Sequence, residues 1–258
     1  MSRFFVPPEN VGEKSIVIDD RSDLHHMVKV LRLSVGDEID ISDSQEWEYR
    51  AELSYIGQDE AEAVILDKQR FSTEPRIKVT LFQGMPKQGK MELIVQKTVE
   101  LGVGRIVPVF MARSVVTDNG KTEKKVKRWQ KVADEAVKQC KRGLIPKVHT
   151  PVKTRDVIEA FGDFDLVLFP YENEDGVTIK DVLREISAGG AAEDGSGSGP
   201  AGIRNIAVII GPEGGFSREE AEAIVAAGGR SVSLGRTTLR TETAGLAAIA
   251  MIMYELEL

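Results

Sequence analysis

The hydrophobic pattern of the chain changes character near residues 71–75, and this change constrains the possible folds more than any other feature. Upstream, short runs rich in β-branched residues alternate with turn residues, which is typical of a small β domain. Downstream, near-continuous apolar runs such as residues 206–210 are separated by helical sequence, as in a parallel sheet covered by helices. The pattern therefore predicts a β-rich domain over residues 1–72 and an α/β domain over residues 76–258.

Periodicity also predicts the individual elements. One helix, residues 23–33, is expected in the first domain. The Gly- and Ser-rich segment 187–202 cannot bury much apolar surface and is predicted to be a mobile surface loop. The predicted strands are residues 15–18, 37–42, 48–55 and 61–66 in the first domain, and residues 78–82, 105–110, 164–169, 205–210 and 231–234 in the second.

Composition excludes several classes of protein. Cys140 is the single cysteine, so an intramolecular disulfide is impossible, and the three histidines lack the spacing of zinc ligands. No run approaches the roughly 18 apolar residues of a membrane helix, and the start of the chain lacks the apolar stretch of a signal peptide. We therefore expect a cytoplasmic protein with no metal site and no membrane partner.

The net charge of −7 conceals an uneven distribution of charge along the chain. Residues 1–75 carry 17 acidic and 8 basic side chains, whereas residues 121–142 carry nine basic and three acidic ones. Such a basic stretch either keeps a helix face solvated or contacts phosphates. Its charge alone leaves both interpretations open.

Two loops carry residue types expected at a ligand site. Residues 211–216, Gly-Pro-Glu-Gly-Gly-Phe, follow a buried strand, and Ser217 with Glu220 predicts a capping box that starts the next helix. Residues 234–244 are dense in hydroxyl and charged groups, although Arg240 and Glu242 could also form an ordinary salt bridge at a helix start. Because open α/β sheets bind ligands at the carboxyl ends of their strands, both loops should face one pocket.

Two nucleotide-binding fingerprints are matched only in part. Gly102-Val103-Gly104 lacks the third glycine and leads into a strand, so it does not predict a dinucleotide site. Residues 84–90 have the G-x-x-x-x-G-K spacing of a phosphate-binding loop, but Met91 replaces the hydroxyl residue that binds magnesium, and Pro86 removes an amide donor. We favour a basic loop that contacts RNA over an ATP site here.

Together these segments resemble the RsmE family of the SPOUT superfamily, over nearly the whole chain. The motifs at residues 211–216 and 239–244 are specific in combination. The resemblance implies a PUA-like β-barrel domain followed by an α/β domain with a trefoil knot, a topology too rare to predict without it. The supporting segments are residues 3–6, 26–32, 36–37, 86–87, 92–102, 113–116, 128–129 and 139–140.

The resemblance also implies the cofactor and the partners. The cofactor would be S-adenosylmethionine, and the methyl acceptor N3 of a uridine in the 16S ribosomal RNA, either free or within the small ribosomal subunit. A second copy of the chain would complete a homodimer, with the apolar helix 246–256 as a contact surface. The residues implied to bind the cofactor are Leu168, Phe169, Pro170, Ile210, Gly211, Pro212, Glu213, Gly214, Gly215, Leu234, Gly235, Leu239, Arg240, Thr241, Thr243 and Ala244.

Methylation of N3 requires that the base be positioned and its deprotonated form stabilised. We expect Arg240 to stabilise the anionic base and Glu242 to orient it or accept its proton. The rival functions are a non-catalytic RNA-binding protein, which predicts no cofactor affinity, and an ATP-dependent enzyme, which predicts magnesium-dependent nucleotide binding. The residues expected to contact RNA, besides the basic helix 121–142, are Arg3, Arg32, Lys87, Arg113 and Arg128.

Overall fold

A computed structural model describes residues 3–71, 73–87, 89–116, 120, 122–189 and 202–257. The chain divides into two compact units, and the first combines the segment up to Glu74 with Val137–Ile145. The second unit combines Pro75–Ala136 with the chain from Pro146 onward. The domain limits 1–72 and 76–258 stay a prediction, and most of the predicted mobile loop 187–202 lies outside the described residues.

The first unit contains a five-stranded sheet in the order β1-β3-β4-β5-β2, in which only the β1 and β3 pair, among the described strands, is parallel. The four predicted strands are confirmed; β1 was missed because three residues carry no readable alternation. The fifth is longer than predicted because it stays paired with the fourth as far as Arg70. The strands are β1 (Arg3–Phe5), β2 (Ser15–Ile18), β3 (Glu38–Ser42), β4 (Trp47–Ile56) and β5 (Ala61–Arg70).

The predicted helix 23–33 differs from the observed structure. Helix α1 (Arg21–His25) begins at Asp20, whose carboxylate accepts hydrogen bonds from the amides of Ser22 and Asp23, and the chain then continues as a π-helical segment, His26–Leu31. Arg32 ends this segment in the left-handed conformation, with φ of 55°. A 3.6-residue pattern cannot predict this wider turn, which leaves Met27 fully buried and Val30 exposed.

Residues 137–145 complete the first unit through polar contacts. The Ser42 hydroxyl donates to the Gly143 carbonyl at 2.5 Å, and Lys138 pairs with the buried Asp23 at 2.5 Å. The Glu74 carboxylate pairs with Arg142 at 2.6 Å and accepts from the Gly143 amide at 2.9 Å. This segment therefore satisfies buried polar groups of the first unit from a distant part of the sequence.

The second unit contains a seven-stranded parallel sheet, with the order β12-β10-β11-β6-β7-β8 and β9 paired with β7. This confirms the predicted α/β class; the trefoil knot stays a prediction. The elements are β6 (Lys78–Gly84), α2 (Lys90–Glu100), β7 (Arg105–Phe110), α3 (Thr122–Cys140, whose last four residues belong to the first unit), β8 (Lys147–Val148), β9 (Val152–Lys153), α4 (Thr154–Glu159), β10 (Leu166–Pro170), α5 (Ile179–Gly189), β11 (Asn205–Ile210), α6 (Arg218–Ala226), β12 (Arg230–Val232) and α7 (Thr241–Leu256).

The central strands β10, β11 and β6 lie side by side and point the same way. Five of the six residues of β11 are buried, as expected for a strand covered on both faces. The loops that follow these strands leave the sheet at one edge, at the carboxyl ends where ligands bind in open α/β sheets. Phe169 and Phe216 pack there edge to face, with ring centroids 5.6 Å apart.

The predicted capping box at the start of α6 is confirmed. The Ser217 hydroxyl accepts from the Glu220 amide at 3.1 Å, and the Glu220 carboxylate accepts from the Ser217 amide at 3.1 Å. The other oxygen of Glu220 accepts from the Ala112 amide at 2.9 Å and from the Thr154 hydroxyl at 2.7 Å. The helix start after residues 211–216 is therefore fixed to two further segments of the same unit.

Replacing Ser217 with Ala should destabilise the protein by about 1 kcal/mol, because the cap of α6 loses its acceptor. The measurement is the free energy of unfolding in urea. Arg218→Ala is the matched control: it removes only an exposed pair with Glu222, and should change stability by less than about 0.5 kcal/mol. Equal effects of the two substitutions would contradict a role for the cap.

Candidate functional site

A cleft of about 600 Å³ lies at the carboxyl edge of the second unit's sheet. Small-molecule sites usually occupy about 300–1,000 Å³, so the cleft is large enough for a nucleoside-sized ligand. Both loops singled out in the sequence border it, as predicted from their positions after strands. The lining residues are Lys90, Pro170, Glu172, Asn173, Ile210, Gly211, Pro212, Glu213, Gly214, Gly215, Phe216, Thr238, Leu239, Arg240, Thr241 and Ala244.

The floor of the cleft depends on a close backbone approach at Gly84, the last residue of β6. A Cβ atom there would lie 2.6 Å from the Pro212 nitrogen and 2.8 Å from the Gly211 carbonyl carbon, both backbone atoms that cannot move aside easily. Only glycine permits this approach. Gly211 and Pro212, the first residues of the 211–216 loop, therefore pack directly against the end of β6.

A buried hydroxyl joins the two loops of the cleft. The Thr241 hydroxyl donates to the Gly211 carbonyl at 2.6 Å and accepts from Nε2 of the Gln83 side chain at 2.9 Å. Gln83 is fully buried and Thr241 is 6% exposed, so neither bond competes with bulk water. The start of α7, the end of β6 and the loop after β11 are therefore held together by one side chain.

The turn at Gly214 and Gly215 contacts two further loops, one of which contributes Glu172 to the cleft. Gly215 has φ of 67°, and a Cβ atom there would lie 2.3 Å from a Glu172 carboxylate oxygen. The Gly214 carbonyl accepts from the Arg113 guanidinium at 3.1 Å. A left-handed turn without side chains thus leaves room for Glu172 on one side and Arg113 on the other.

Three charged side chains meet beside the cleft. The Lys90 ammonium lies 3.1 Å from the Glu213 carboxylate and 2.9 Å from the Glu242 carboxylate, and the Lys87 amide donates to Glu213 at 3.0 Å. Burial raises the pKa of both carboxyls, but the hydrogen bonds from Lys90, and for Glu213 also the Lys87 amide, outweigh it and set each pKa below its ordinary value. Hydrogen bonds to Glu242 and Glu213 raise the Lys90 pKa. All three groups are therefore charged at neutral pH.

Most of the residues predicted to bind a cofactor converge on this cleft. Eleven of them line it, and Leu234 and Gly235 line an adjoining space of about 180 Å³ that shares Leu239 and Ala244 with it. Leu168 and Phe169 are instead fully buried in the core, and the exposed Thr243 is not among the residues lining either space. The roles of all these residues stay predictions.

Five lining residues were not predicted as cofactor contacts: Lys90, Glu172, Asn173, Phe216 and Thr238. Glu172 and Asn173 follow shortly after β10, so the rule on strand ends could have found them. Phe216 and Thr238 belong to the two loops already identified. Lys90 carried only the signal of an incomplete phosphate-binding pattern.

The arrangement disfavours an ATP site at residues 84–90. The amide of Lys87 and the ammonium of Lys90, which a phosphate would need, both bind the Glu213 carboxylate. A triphosphate bound here would have to displace that carboxylate from both donors, and the carboxylate would repel it. In this structure Gly84 therefore serves backbone packing and Lys90 serves ion pairing.

The residues predicted to contact RNA differ in their availability. Arg3 is largely buried, pairs with Glu48 at 3.2 Å and donates to the Lys141 carbonyl at 2.7 Å, while Arg128 is 60% exposed and pairs with Glu92. The side chains of Arg32, Lys87 and Arg113 are exposed, and none of them forms an ion pair within the described part of the chain. RNA contact by any of the five stays a prediction.

Two further findings concern only the described residues. No helix among them is long and apolar enough to cross a membrane. No group of three or more His, Cys, Asp and Glu side chains within them is arranged to hold a metal ion.

Comparison with known proteins defines the class to which this fold and cleft belong. The family model of the RNA methyltransferase domain matches residues 73–253, and that of the RNA methyltransferase PUA domain matches residues 18–66. The chain is 32% identical over 261 residues to ribosomal RNA small subunit methyltransferase E of Bacillus subtilis, a match that covers all of this chain and 98% of the relative. The chain belongs to this family, RsmE, as its motifs predicted.

Solved structures agree with this assignment. The methyltransferase E of Neisseria gonorrhoeae, bound to S-adenosylmethionine, superposes with a TM-score of 0.78 at 28% identity, covering 98% of this chain and 97% of its own. A Legionella pneumophila protein described as a methyltransferase, in complex with the same cofactor, gives 0.79 at 27% identity, covering 98% and 96%. The similarity therefore extends over both units of the chain.

Replacing Thr241 with Val should destabilise the protein by about 1–3 kcal/mol, because Gln83 and the Gly211 carbonyl would lose buried hydrogen bonds while the side-chain volume is kept. Urea unfolding gives the change in free energy. Thr243→Val, on the exposed side of the same helix turn, is the matched control and should have little effect. If both variants unfold at the wild-type urea concentration, the bridging hydroxyl is not important for stability.

Proposed function

We propose that the protein transfers the methyl group of S-adenosylmethionine to N3 of one uridine in the 16S RNA of the small ribosomal subunit. The relative in Bacillus subtilis is named for small-subunit ribosomal RNA, and two similar structures hold the cofactor. The observation that carries the proposal is the meeting of the loops 211–216 and 238–244 in one cleft, with Arg240 among its lining residues.

The residues of the cleft fit this cofactor in size and chemistry. Its volume suits a nucleoside with a short side chain, and Ile210, Leu239 and Ala244 offer apolar surface to a purine ring. One carboxylate oxygen of Glu213 is buried without a hydrogen-bond partner within the described residues, so a ligand donor can satisfy it. Glu172 and Glu213 supply the negative charge that a cationic sulfonium compound favours.

The chain's own residues then have distinct tasks. The cofactor supplies an electrophilic methyl group, and N3 of uridine must lose its proton before its lone pair can attack. Arg240 precedes helix α7, is exposed, and its side chain has no hydrogen bond or ion pair among the described residues. Its guanidinium is therefore available to stabilise the anionic base, aided by the positive end of the helix dipole.

We assign Glu242 the orienting role of the two considered for it. A general base works best when its pKa lies near the working pH, whereas the hydrogen bond from Lys90 lowers the pKa of Glu242 below its ordinary value against the effect of burial. A carboxylate stabilised in this way holds a proton poorly. Its fixed charge and position suit it instead to orienting the neighbouring Arg240 or the base. The N3 proton then leaves to solvent water, and Arg240 stabilises the anion that remains.

The proposal includes a homodimer and a cytoplasmic location. Tyr254 and Met251 on α7 are 71% and 37% exposed, on a helix whose other face is buried in the second unit. These two side chains lie three positions apart on one face of the helix and offer apolar surface for a second copy of the chain to cover. The cytoplasmic location follows from the proposed substrate, because the protein must meet the ribosomal RNA where ribosomal subunits are assembled.

The function is tested by incubating small ribosomal subunits that lack the modification with the protein and labelled S-adenosylmethionine. Nucleosides from the digested RNA, separated by mass spectrometry, should contain N3-methyluridine. Arg240→Ala should lower the rate of transfer at least about 100-fold, the usual loss when a group that stabilises the developing charge is removed. Its affinity for the cofactor, measured by calorimetry, should change by less than about threefold.

Arg155→Ala is the control for that experiment, since this exposed arginine pairs with Glu159 and lies outside the cleft lining. It should retain wild-type activity. A fully active Arg240→Ala variant would remove Arg240 from the mechanism, and the absence of S-adenosylmethionine binding by the wild type would refute the proposed function.

RNA binding should weaken as salt rises, because phosphate contacts release counterions. Arg113→Ala should reduce the slope of log affinity against log salt concentration by about one, the value for one lost phosphate contact. Filter binding of small-subunit RNA fragments at several salt concentrations measures the slope. An unchanged slope would assign Arg113 only to the contact with Gly214.

A further inference from the structure

Lys90 connects three elements of the second unit through charge. It is the first residue of α2, Glu213 lies in the loop after β11, and Glu242 lies in the first turn of α7. One ammonium group lies within 3.1 Å of both carboxylates. The three residues are far apart in the sequence, so the contact exists only because the fold brings their segments together.

The three side chains are shielded from solvent to different degrees. Their exposed fractions are 29% for Lys90, 19% for Glu213 and 15% for Glu242. Ion pairs of this burial are screened less by water and salt than fully exposed pairs are. The cluster also carries one more carboxylate than ammonium, so the two carboxylates share Lys90 as their ion-pair partner.

We propose that Lys90 is a positioning residue of the methylation reaction, which sets the spacing of the two cofactor loops by pairing with Glu213 and Glu242 at once. This inference rests on the proposed function for the meaning of the loops, but the bridge itself can be tested without ligand. Lys90 acts through the two glutamates, and its ammonium is not assigned a contact with the base or the methyl group.

Removal of the lysine charge has a consequence that distinguishes a bridge from ordinary packing. In the wild type, each carboxylate is attracted to Lys90, so Glu213→Gln removes a favourable contact. Without the lysine charge, two partly buried carboxylates face each other, and the same Glu213→Gln change removes a repulsion. The side-chain carbonyl that this substitution leaves at position 213 can still accept from the Lys87 amide. The effect of Glu213→Gln on the stability of the ligand-free protein should therefore change sign when Lys90 is replaced by an uncharged residue.

The experiment is a double-mutant cycle on the full chain with Lys90→Met, Glu213→Gln and their combination. Two quantities are measured for each variant: the unfolding temperature of the ligand-free protein, and the affinity for S-adenosylmethionine by calorimetry. Lys90→Arg tests rescue by a second cation. Lys97→Met is the matched control, since Lys97 lies on the same helix and pairs with one carboxylate, Glu100, at 2.8 Å.

Lys90→Met should weaken cofactor affinity about tenfold or more and lower the unfolding temperature, whereas Lys97→Met should do neither. Lys90→Arg should restore most of the affinity. Glu213→Gln should lower the unfolding temperature of the wild type and raise that of the Lys90→Met protein, because the ligand-free protein reports only the attraction to Lys90 and the repulsion between the carboxylates.

Wild-type affinity in Lys90→Met, or an effect of Glu213→Gln on the unfolding temperature that has the same sign in both backgrounds, would overturn the proposal. Failure of the wild type to bind S-adenosylmethionine would refute the proposed function instead. In that case a sign change in the unfolding temperatures would keep the charge bridge but remove its role in methylation.

Discussion

The arrangement of the cleft depends on the hydroxyl group of Thr241. A hydroxyl has one hydrogen to donate, and here it is donated to the Gly211 carbonyl, which leaves an oxygen lone pair for the Gln83 amide. Each partner comes from a different part of the second unit, and each is buried or partly buried. Because an unpaired buried polar group is costly, the start of α7 and the loop after β11 hold one relative position. The close backbone contact of Gly84 with Gly211 and Pro212 fixes the same loop at the end of β6.

The parts of the fold with a strong local signal were predictable from sequence. The strands 105–110 and 205–210 have the predicted bounds, because residues buried on both faces form continuous apolar runs. The capping box at Ser217 needed only two residues three positions apart. The position of two polar loops after strands was sufficient to predict that they share a pocket.

The rest of the site could not be predicted because its contacts join distant segments. Gln83 looks like any strand residue until the fold places it beside Thr241, 158 positions away. Lys90 matched a phosphate-binding pattern, yet its neighbours in space are two carboxylates. Arg3 and Arg240 are equally basic in sequence, but one is largely buried against Glu48 and the other is exposed beside the cleft. Pairing in three dimensions, and not residue type, decides which charges are available to a ligand.

The membership of residues 137–145 in the first unit has a consequence for how the chain acquires its structure during synthesis. The ribosome delivers the chain from the N-terminus, so Asp23, Ser42 and Glu74 emerge well before Lys138, Gly143 and Arg142, with which they pair. Until then these three groups lack the partners that satisfy them in the folded chain, and they can hydrogen-bond only to water or to other groups. The first unit should therefore finish folding only after β6, α2, β7 and α3 have all been translated, so that its folding overlaps with that of the second unit.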